Sequence, residues 1–437
     1  MARIAFFPLA QVGHIHATFH LARRLRARGH DVHYLSLSDA EEPVRAQGWP
    51  FTPVSEALFP RGFRDASEST LGSDAPREKK QQVAQEMQRR LQAYASELLF
   101  GPAFEAHLRE LRPDLLLVDS TYPLPALAAR RLGLGTALFS TTLPLRADAG
   151  VPPLTSTAPP PTGAWSRFKV RAAWTLQAQA GRAGYGRFLR EQVQVLTQRH
   201  PEVGALCDFR THLQHGPHVE LPTLIACAEA FDFPRASTKN LHYIGPGVDL
   251  ERAGASLPPE VEQDPRPLLY CSLGSLGHRA AAHRPFFQAV LDMVARRQDW
   301  RLLMAVGANL AAADFRIPAN ATVVPFAPQL AALRKASVMV THGGLNSVKE
   351  CLCLGVPMLV FPTGLDQPGN AARVVHHGLG RQGDIRRATP DTLSALLDAV
   401  VGDPGVRTRV DAMRKAFLAL DGSDRGVEAV EGLLGAP

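Results

Sequence analysis

Residues 338–357 read VMVTHGGLNSVKECLCLGVP. Val338 to Thr341 is a short apolar run of the kind that forms a buried strand. His342, Gly343 and Gly344 then make a turn, and from Leu345 onward Leu345, Val348 and Leu352 repeat at helical spacing. A strand, a glycine turn and a helix N-terminus together present free backbone N–H groups and the positive end of a helix dipole. In physical terms that is a diphosphate site. Glycine lets a backbone approach closely, and Asn346 or Ser347 can cap the helix or bond a phosphate oxygen directly. Asn346, Ser347 and Glu350 share a face distinct from the apolar stripe. An ordinary surface helix would also be polar there, so the context has to decide.

Around this stretch, apolar runs alternate with helical patterns, which predicts βαβ units and parallel sheets. In the second half the strands are expected at Leu268 to Ser272, Arg301 to Val306, Thr322 to Phe326, Val338 to Thr341 and Pro357 to Phe361. In the first half they are expected at Arg3 to Pro8, Asp31 to Leu37, Leu115 to Val118 and Thr136 to Phe139. Thr18, Leu21, Ala22 and Leu25 mark the first helix, which stops at Gly29. The polar stretch Ala57 to Gln82 reads as a loop insertion. Pro144 to Pro161, rich in proline and small residues, reads as a semi-rigid loop. Gly245 to Pro267 reads as an interdomain linker. The expected organisation is an N-terminal domain, 1–245, and a C-terminal domain, 246–437, whose last helix packs back on the first. Two α/β halves imply a cleft, where ligands usually bind.

Composition narrows the function classes. The 437 residues are 45% apolar and 20% charged, as in soluble globular proteins. A net charge of +7 is scattered without a dense basic run, which argues against nucleic acid and suits an anionic small molecule. Five cysteines, an odd and sparse set, argue against a disulfide framework, and Cys351 and Cys353 point to different helix faces. The apolar run near the N-terminus is too short for a signal peptide core, and no apolar run is long enough to span a bilayer. A reduced, cytoplasmic protein is expected. Trp165, Phe168, Arg171 and Trp174 form a basic, aromatic helical patch. It reads first as aromatics packed inward, and otherwise as a lid over a greasy acceptor or a weak membrane-surface contact.

The segment Phe326-Ala327-Pro-Gln329, His342-Gly343-Gly344, Asn346-Ser347, Glu350, Gly355-Val-Pro357, Pro362 and Asp366-Gln367 resembles the donor-binding signature of family 1, UDP-glycosyltransferase-like enzymes. The resemblance implies a GT-B fold: two Rossmann-like α/β domains whose parallel sheets face each other across a central cleft. It implies that Phe326, where the family often has tryptophan, stacks on the base, and that the Ala327 backbone reads the base edge. Gln329 and Glu350 would hold the ribose hydroxyls. His342, Gly343, Gly344, Asn346 and Ser347 would bind the phosphates, and Asp366 with Gln367 would hold the sugar hydroxyls of a glucose-type donor. Ser272-Leu-Gly-Ser275 looks like the family's second phosphate-facing loop. Backbone donors, a helix dipole and a protonated His342 would meet the leaving-group charge, with no metal or other cofactor required.

Gly13-His14, Leu21-Ala22, Leu25 and Gly29-His30 resemble the same family's N-terminal signature, with Ala17 where proline is common. That implies His14, in the loop before the first helix, as general base, its neutral form favoured by the helix N-terminus. Asp119, after Leu115 to Val118, matches the supporting aspartate; Asp114 should lie at the strand's opposite end, and His16 is the rival base. The resulting expectation is an inverting transferase moving a hexose, glucose first, from a nucleoside diphosphate to a hydroxyl of a small lipophilic acceptor. Glu350 as a ribose ligand favours UDP over dTDP. The downstream run Asp366 to Gly380 looks like enzymes acting on carotenoids, macrolides and related natural products. The competing readings are a catalytically silent helper protein and a GT-B-fold nucleotide-sugar epimerase.

Overall fold

The computed structural model describes residues 1–72, 75–213, 216–250, 255–274 and 281–435. Strands β1 (Arg3–Phe7), β2 (Asp31–Ser36), β3 (Phe51–Pro53), β4 (Leu115–Asp119) and β5 (Thr136–Ser140) open the first half. A hairpin, β6 (Cys207–Leu213) and β7 (Gly216–Val219), precedes β8 (Thr223–Ile225) and β9 (Leu241–Tyr243). The first sheet runs β3-β2-β1-β4-β5-β8-β9, parallel throughout. The second half supplies β10 (Leu268–Ser272), β11 (Arg301–Ala305), β12 (Ala321–Val324), β13 (Ala336–Thr341), β14 (Met358–Val360) and β15 (Gly380–Gln382). They form a parallel sheet in the order β12-β11-β10-β13-β14-β15.

These strands read as continuous apolar runs because both faces of each sheet are covered. Leu115 to Val118 and Leu268 to Cys271 are buried at every position. The sequence reading did not include the three-residue strands β3, β8, β9 and β15 or the hairpin strands β6 and β7, although it included β14, which is equally short. Ala57 to Gln82 corrects a second expectation. Instead of a loop it contains the helix Phe63–Gly72 and the start of the helix Arg77–Phe100. The polarity that suggested a loop belongs to side chains left in solvent along these helices, among them Asp65, Arg77, Glu78 and Lys79, while Arg64 pairs with Glu68 at helical spacing. Phe59 and Tyr94, with rings 5.6 Å apart, supply the buried side. Between 245 and 267, a short helix at Pro259–Glu262 buries Val261 under the second sheet.

The helix Arg425–Glu431 lies against the first sheet's core, where Val427 and Val430 pack with residues of the helix Val12–Ala27. Among the described residues, no helix is long and apolar enough to cross a membrane.

Candidate active site at the facing sheet edges

In the first sheet β1 and β4 are neighbours while the chain leaves them in opposite directions. This switch point opens a crevice beyond their C-terminal ends. Three adjacent strands each deliver one polar side chain to it. His14 lies in the first turn of the helix Val12–Ala27, which follows β1; it is helical rather than in the expected loop. Its Nδ1 sits 2.7 Å from Asp119 Oδ2, at the end of β4, and 2.9 Å from Thr141 Oγ1, just past β5. Asp119 is held in turn by the Thr121 N–H, 2.9 Å from Oδ1. With Nδ1–H donated to the carboxylate, Nε2 is the ring nitrogen left to accept a proton.

Burial pulls the His14 pKa down, but the charge and hydrogen bond of Asp119 push it up further. Asp366 adds to that rise and Arg64 opposes it, leaving His14 above its usual 6.5. The sequence reading expected the helix N-terminus to favour the neutral ring; the direction found is the opposite, and its causes are the nearby carboxylates. Burial raises Asp119, and the His14 interaction more than offsets that, so its carboxyl lies below the usual range. His16, two positions along the helix, faces away and its ring packs near that of Phe19 at 5.6 Å. Asp114 lies at the other end of β4, where it accepts from the Arg3 N–H at 2.6 Å.

The second sheet repeats the device with β10 beside β13. Ser272, ending β10, is buried, and its Oγ accepts from the Gly274 N–H at 3.4 Å. Ser275 falls outside the described residues. His342 follows β13, its ring wedged between two glycines. A Cβ on Gly274 would lie 2.6 Å from its Cε1, and one on Gly344 2.5 Å from its Nε2. Burial, with a smaller contribution from His283, takes the His342 imidazole down to about 4. The protonated His342 expected from the sequence is therefore replaced by a neutral ring, because the pocket desolvates it and no carboxylate among the described residues offsets that cost. Its buried Nδ1 has no hydrogen-bond partner among the described residues. An orphaned ring nitrogen beside a helix N-terminus is suited to a ligand oxygen.

Gly344 is the N-cap of the helix Leu345–Leu354, and no side chain caps it. Gly343 donates its N–H to Thr341 Oγ1 at 3.2 Å, and its carbonyl accepts from Asn370 Nδ2 at 2.9 Å. Ser347 and Glu350, both buried, face Gln329. Gln329 Nε2 lies 2.5 Å from Glu350 Oε2 and 3.2 Å from Ser347 Oγ, while the Tyr270 hydroxyl donates to its Oε1 at 3.4 Å. The two expected ribose ligands thus form one cluster. Beyond β12, Phe326 is 69% exposed, leaving its ring face open, and Ala327 is partly buried beside it.

Asp366 is the N-cap of the helix Gln367–His376. The preceding Leu365 adopts a left-handed φ of 58°, unusual for a branched residue and costing about 1–2 kcal/mol. Gln367 braces this turn: its Oε1 accepts from the N–H groups of Thr363 and Gly364 at 2.8 and 3.1 Å and from the Thr363 hydroxyl at 2.8 Å. Its carboxamide oxygen is therefore engaged within the protein, and the residue is buried. Burial pushes Asp366 above the usual carboxylate range, opposed by a 2.9 Å bond from Asn370 and by His14.

Among the described residues, two of the links between the halves lie at this cleft. Asn346 Nδ2 donates to the Gly13 carbonyl at 2.7 Å, so this side chain braces the cleft and does not make the helix cap that was one of its two expected roles, the other being a bond to phosphate. Asp366 is close enough to His14 to shift its titration, and Asn370 ties Asp366 to Gly343, next to His342. His14, His342 and Asp366 thus gather about one cleft. Thr141, Asn370 and the Asn346–Gly13 bond had no signal in the sequence, because each joins segments far apart in the chain.

Residues 211–422 match the family model for UDP-glucoronosyl and UDP-glucosyl transferase. The zeaxanthin glucosyltransferase of Pantoea ananas is 26% identical over 96% of this chain and 93% of its own. The oleandomycin glycosyltransferase of Streptomyces antibioticus is 27% identical over 100% of this chain and 91% of its own. Among solved structures, the glycotransferase of kitacinnamycin aligns over 99% of both chains with a TM-score of 0.71 and 24% identity, which places the fold. The chain therefore carries a UDP-glycosyltransferase-like domain over residues 211–422, has the GT-B fold, and along its whole length is similar to bacterial glycosyltransferases that act on natural products.

Proposed function

We propose that this glycosyltransferase is inverting, moving glucose from UDP-glucose to a hydroxyl of a small lipophilic acceptor, with His14 as general base. The observation that carries the reading is the His14–Asp119 pair, set across the cleft from the donor-half helix by the Asn346–Gly13 bond. The acceptor oxygen attacks the anomeric carbon and gives its proton to His14 Nε2. The new C–O bond forms as the anomeric C–O bond to the diphosphate breaks, and the nucleoside diphosphate leaves. One displacement by one base inverts the anomeric centre. Asp119 stabilises the imidazolium that forms and holds the tautomer.

The leaving diphosphate would be met by the N–H groups opening the Leu345–Leu354 helix, by its dipole and by neutral His342 donating from Nδ1. That cradle supplies the stabilisation a metal would otherwise give, so activity should survive chelation. Phe326 would stack on the base, with the Ala327 backbone at its edge. Gln329 and Glu350 would turn from each other to the ribose hydroxyls, which favours UDP over dTDP. Asp366 and the Gln367 nitrogen would take the hexose hydroxyls. Four buried free cysteines and a partly buried fifth suit a reducing cytoplasm. The test is UDP release and glycoside formation from UDP-glucose over a panel of hydroxylated aglycones, with and without EDTA. Wild type should turn over in both. His14→Ala should bind UDP normally and lose about 10²–10⁴ in kcat. Equal activity in His14→Ala would move the base elsewhere, and failure to bind either UDP or dTDP would remove the donor site.

A further inference from the structure

We propose that the helix Ala164–Ala180 docks this enzyme on an anionic lipid bilayer. Three large apolar side chains on it stand in solvent: Trp165 is 67%, Phe168 58% and Leu176 65% exposed. At 3.6 residues per turn the three fall within an arc of about 80°. The opposite side is the one that packs: Val170 is buried, and Trp174 Nε1 donates to the Val151 carbonyl at 2.8 Å. Of the aromatic patch, only Trp174 turns inward, and the expectation of an inward-packed helix fails for Trp165 and Phe168. Their rings stack on each other instead, 5.4 Å apart.

The charges identify the partner. Lys169 borders the apolar arc on one side, with its Nζ 5.5 Å from the Trp165 ring, and Arg171 borders the other. From Ala149 to Arg190 the sequence carries Arg167, Lys169, Arg171, Arg182, Arg187 and Arg190 and no acidic residue. An apolar face holding Trp, Phe and Leu, flanked by cations on an acid-free segment, matches the interface between acyl chains and anionic headgroups. A protein partner for such a face would have to be both apolar and acidic over the same small arc, whereas an anionic bilayer offers both at any point. The helix is also connected to the cleft. The loop it anchors at Val151 continues to Leu154, whose carbonyl accepts from the Gly369 N–H at 2.7 Å on the helix that Asp366 opens.

The experiment is flotation of the full chain with phosphatidylcholine vesicles, with and without phosphatidylglycerol, alongside light scattering of the free protein. Wild type should float with the anionic vesicles about tenfold more than with neutral ones, and salt should weaken it. Trp165→Ser/Phe168→Ser and Lys169→Glu/Arg171→Glu should each lose about tenfold or more of that binding. Both should keep wild-type turnover of a water-soluble acceptor without vesicles, which shows that they are folded. No binding to anionic vesicles overturns the proposal, as does binding that both variants retain. A dimer of wild type that Trp165→Ser/Phe168→Ser dissolves would also overturn it, giving the face to a second copy of the chain.

Discussion

His14 carries the most chemical consequence of any single residue. As the proposed base it works only unprotonated, and Asp119 holds the His14 pKa above 6.5 in spite of burial. The rate should therefore fall as pH drops through that raised value, giving kcat/KM an acid limb above 6.5. In Asp119→Asn the elevating charge is gone while burial remains, so the limb should move to lower pH. At the same time kcat should drop by about 10²–10⁴, because the imidazole loses the partner that sets its tautomer and stabilises its charged form. A pH–rate profile of the two proteins checks this, and an unmoved limb would detach Asp119 from the base. Legibility at this scale was uneven. His14 was singled out only by the family resemblance, whereas Asp119 was also marked by its place after an apolar strand run, at the end where such sheets bind ligands. Thr141 was not, since a threonine after a strand has many roles and only the fold sets it 2.9 Å from His14 Nδ1. The charge state of His342 was unreadable too, because it depends on how completely the pocket shuts out water.

The strand–turn–helix element at β13 illustrates how tightly backbone and ring are fitted. Gly344 begins the helix N-terminus, and a Cβ there would sit 2.5 Å from His342 Nε2. Gly344→Ala must therefore displace either the imidazole or the turn. Both would spoil the row of donors aimed at a diphosphate, while the helix behind, packed through Leu345, Val348 and Leu352, should hold. UDP affinity should fall about tenfold or more, the scale of one charge-assisted hydrogen bond, with little change in melting temperature. Calorimetric titration beside thermal melting separates the two, and unchanged UDP binding would show that this turn does not face the diphosphate. This element was the most legible in the chain because three signals agree over a few residues: a buried strand, glycines, and a 3.6-residue apolar stripe. The helix Phe63–Gly72 was the opposite case. Its apolar side is narrow, and pairs such as Arg64 with Glu68 look the same in a solvated loop when only sequence is in hand.

For the molecule as a whole, the two halves are fastened by a polar knot that sequence patterning could not reveal. Asp232, beyond β8, accepts from Arg373 Nε and Nη2 at 2.9 and 2.6 Å, from Arg235 Nε at 2.7 Å and from the Tyr243 hydroxyl at 2.6 Å. Arg373 and Asp232 side chains are each 1% exposed. Burial raises Asp232, but the two guanidiniums outweigh it and keep the carboxylate ionised. Asp232→Ala would strand two buried cations without their counter-ion, a loss of about 3–5 kcal/mol. The exposed pair Arg187–Glu191, 75% and 54% exposed, is the control: Glu191→Ala should cost less than about 1 kcal/mol. Denaturant unfolding of the two variants measures that contrast, and equal losses would mean the knot carries no special weight. Stability and chemistry are linked at this knot. Arg373 belongs to the helix whose N-cap is Asp366, and its Nη1 also holds the Gly369 carbonyl at 2.8 Å. Loosening Asp232 should therefore let Asp366 and Gln367 drift from the hexose they are proposed to hold, while His14, on the helix that follows β1, stays in place. KM for the nucleotide sugar should rise more than kcat falls, and a variant with unaltered KM would show that this knot secures the fold without positioning the donor.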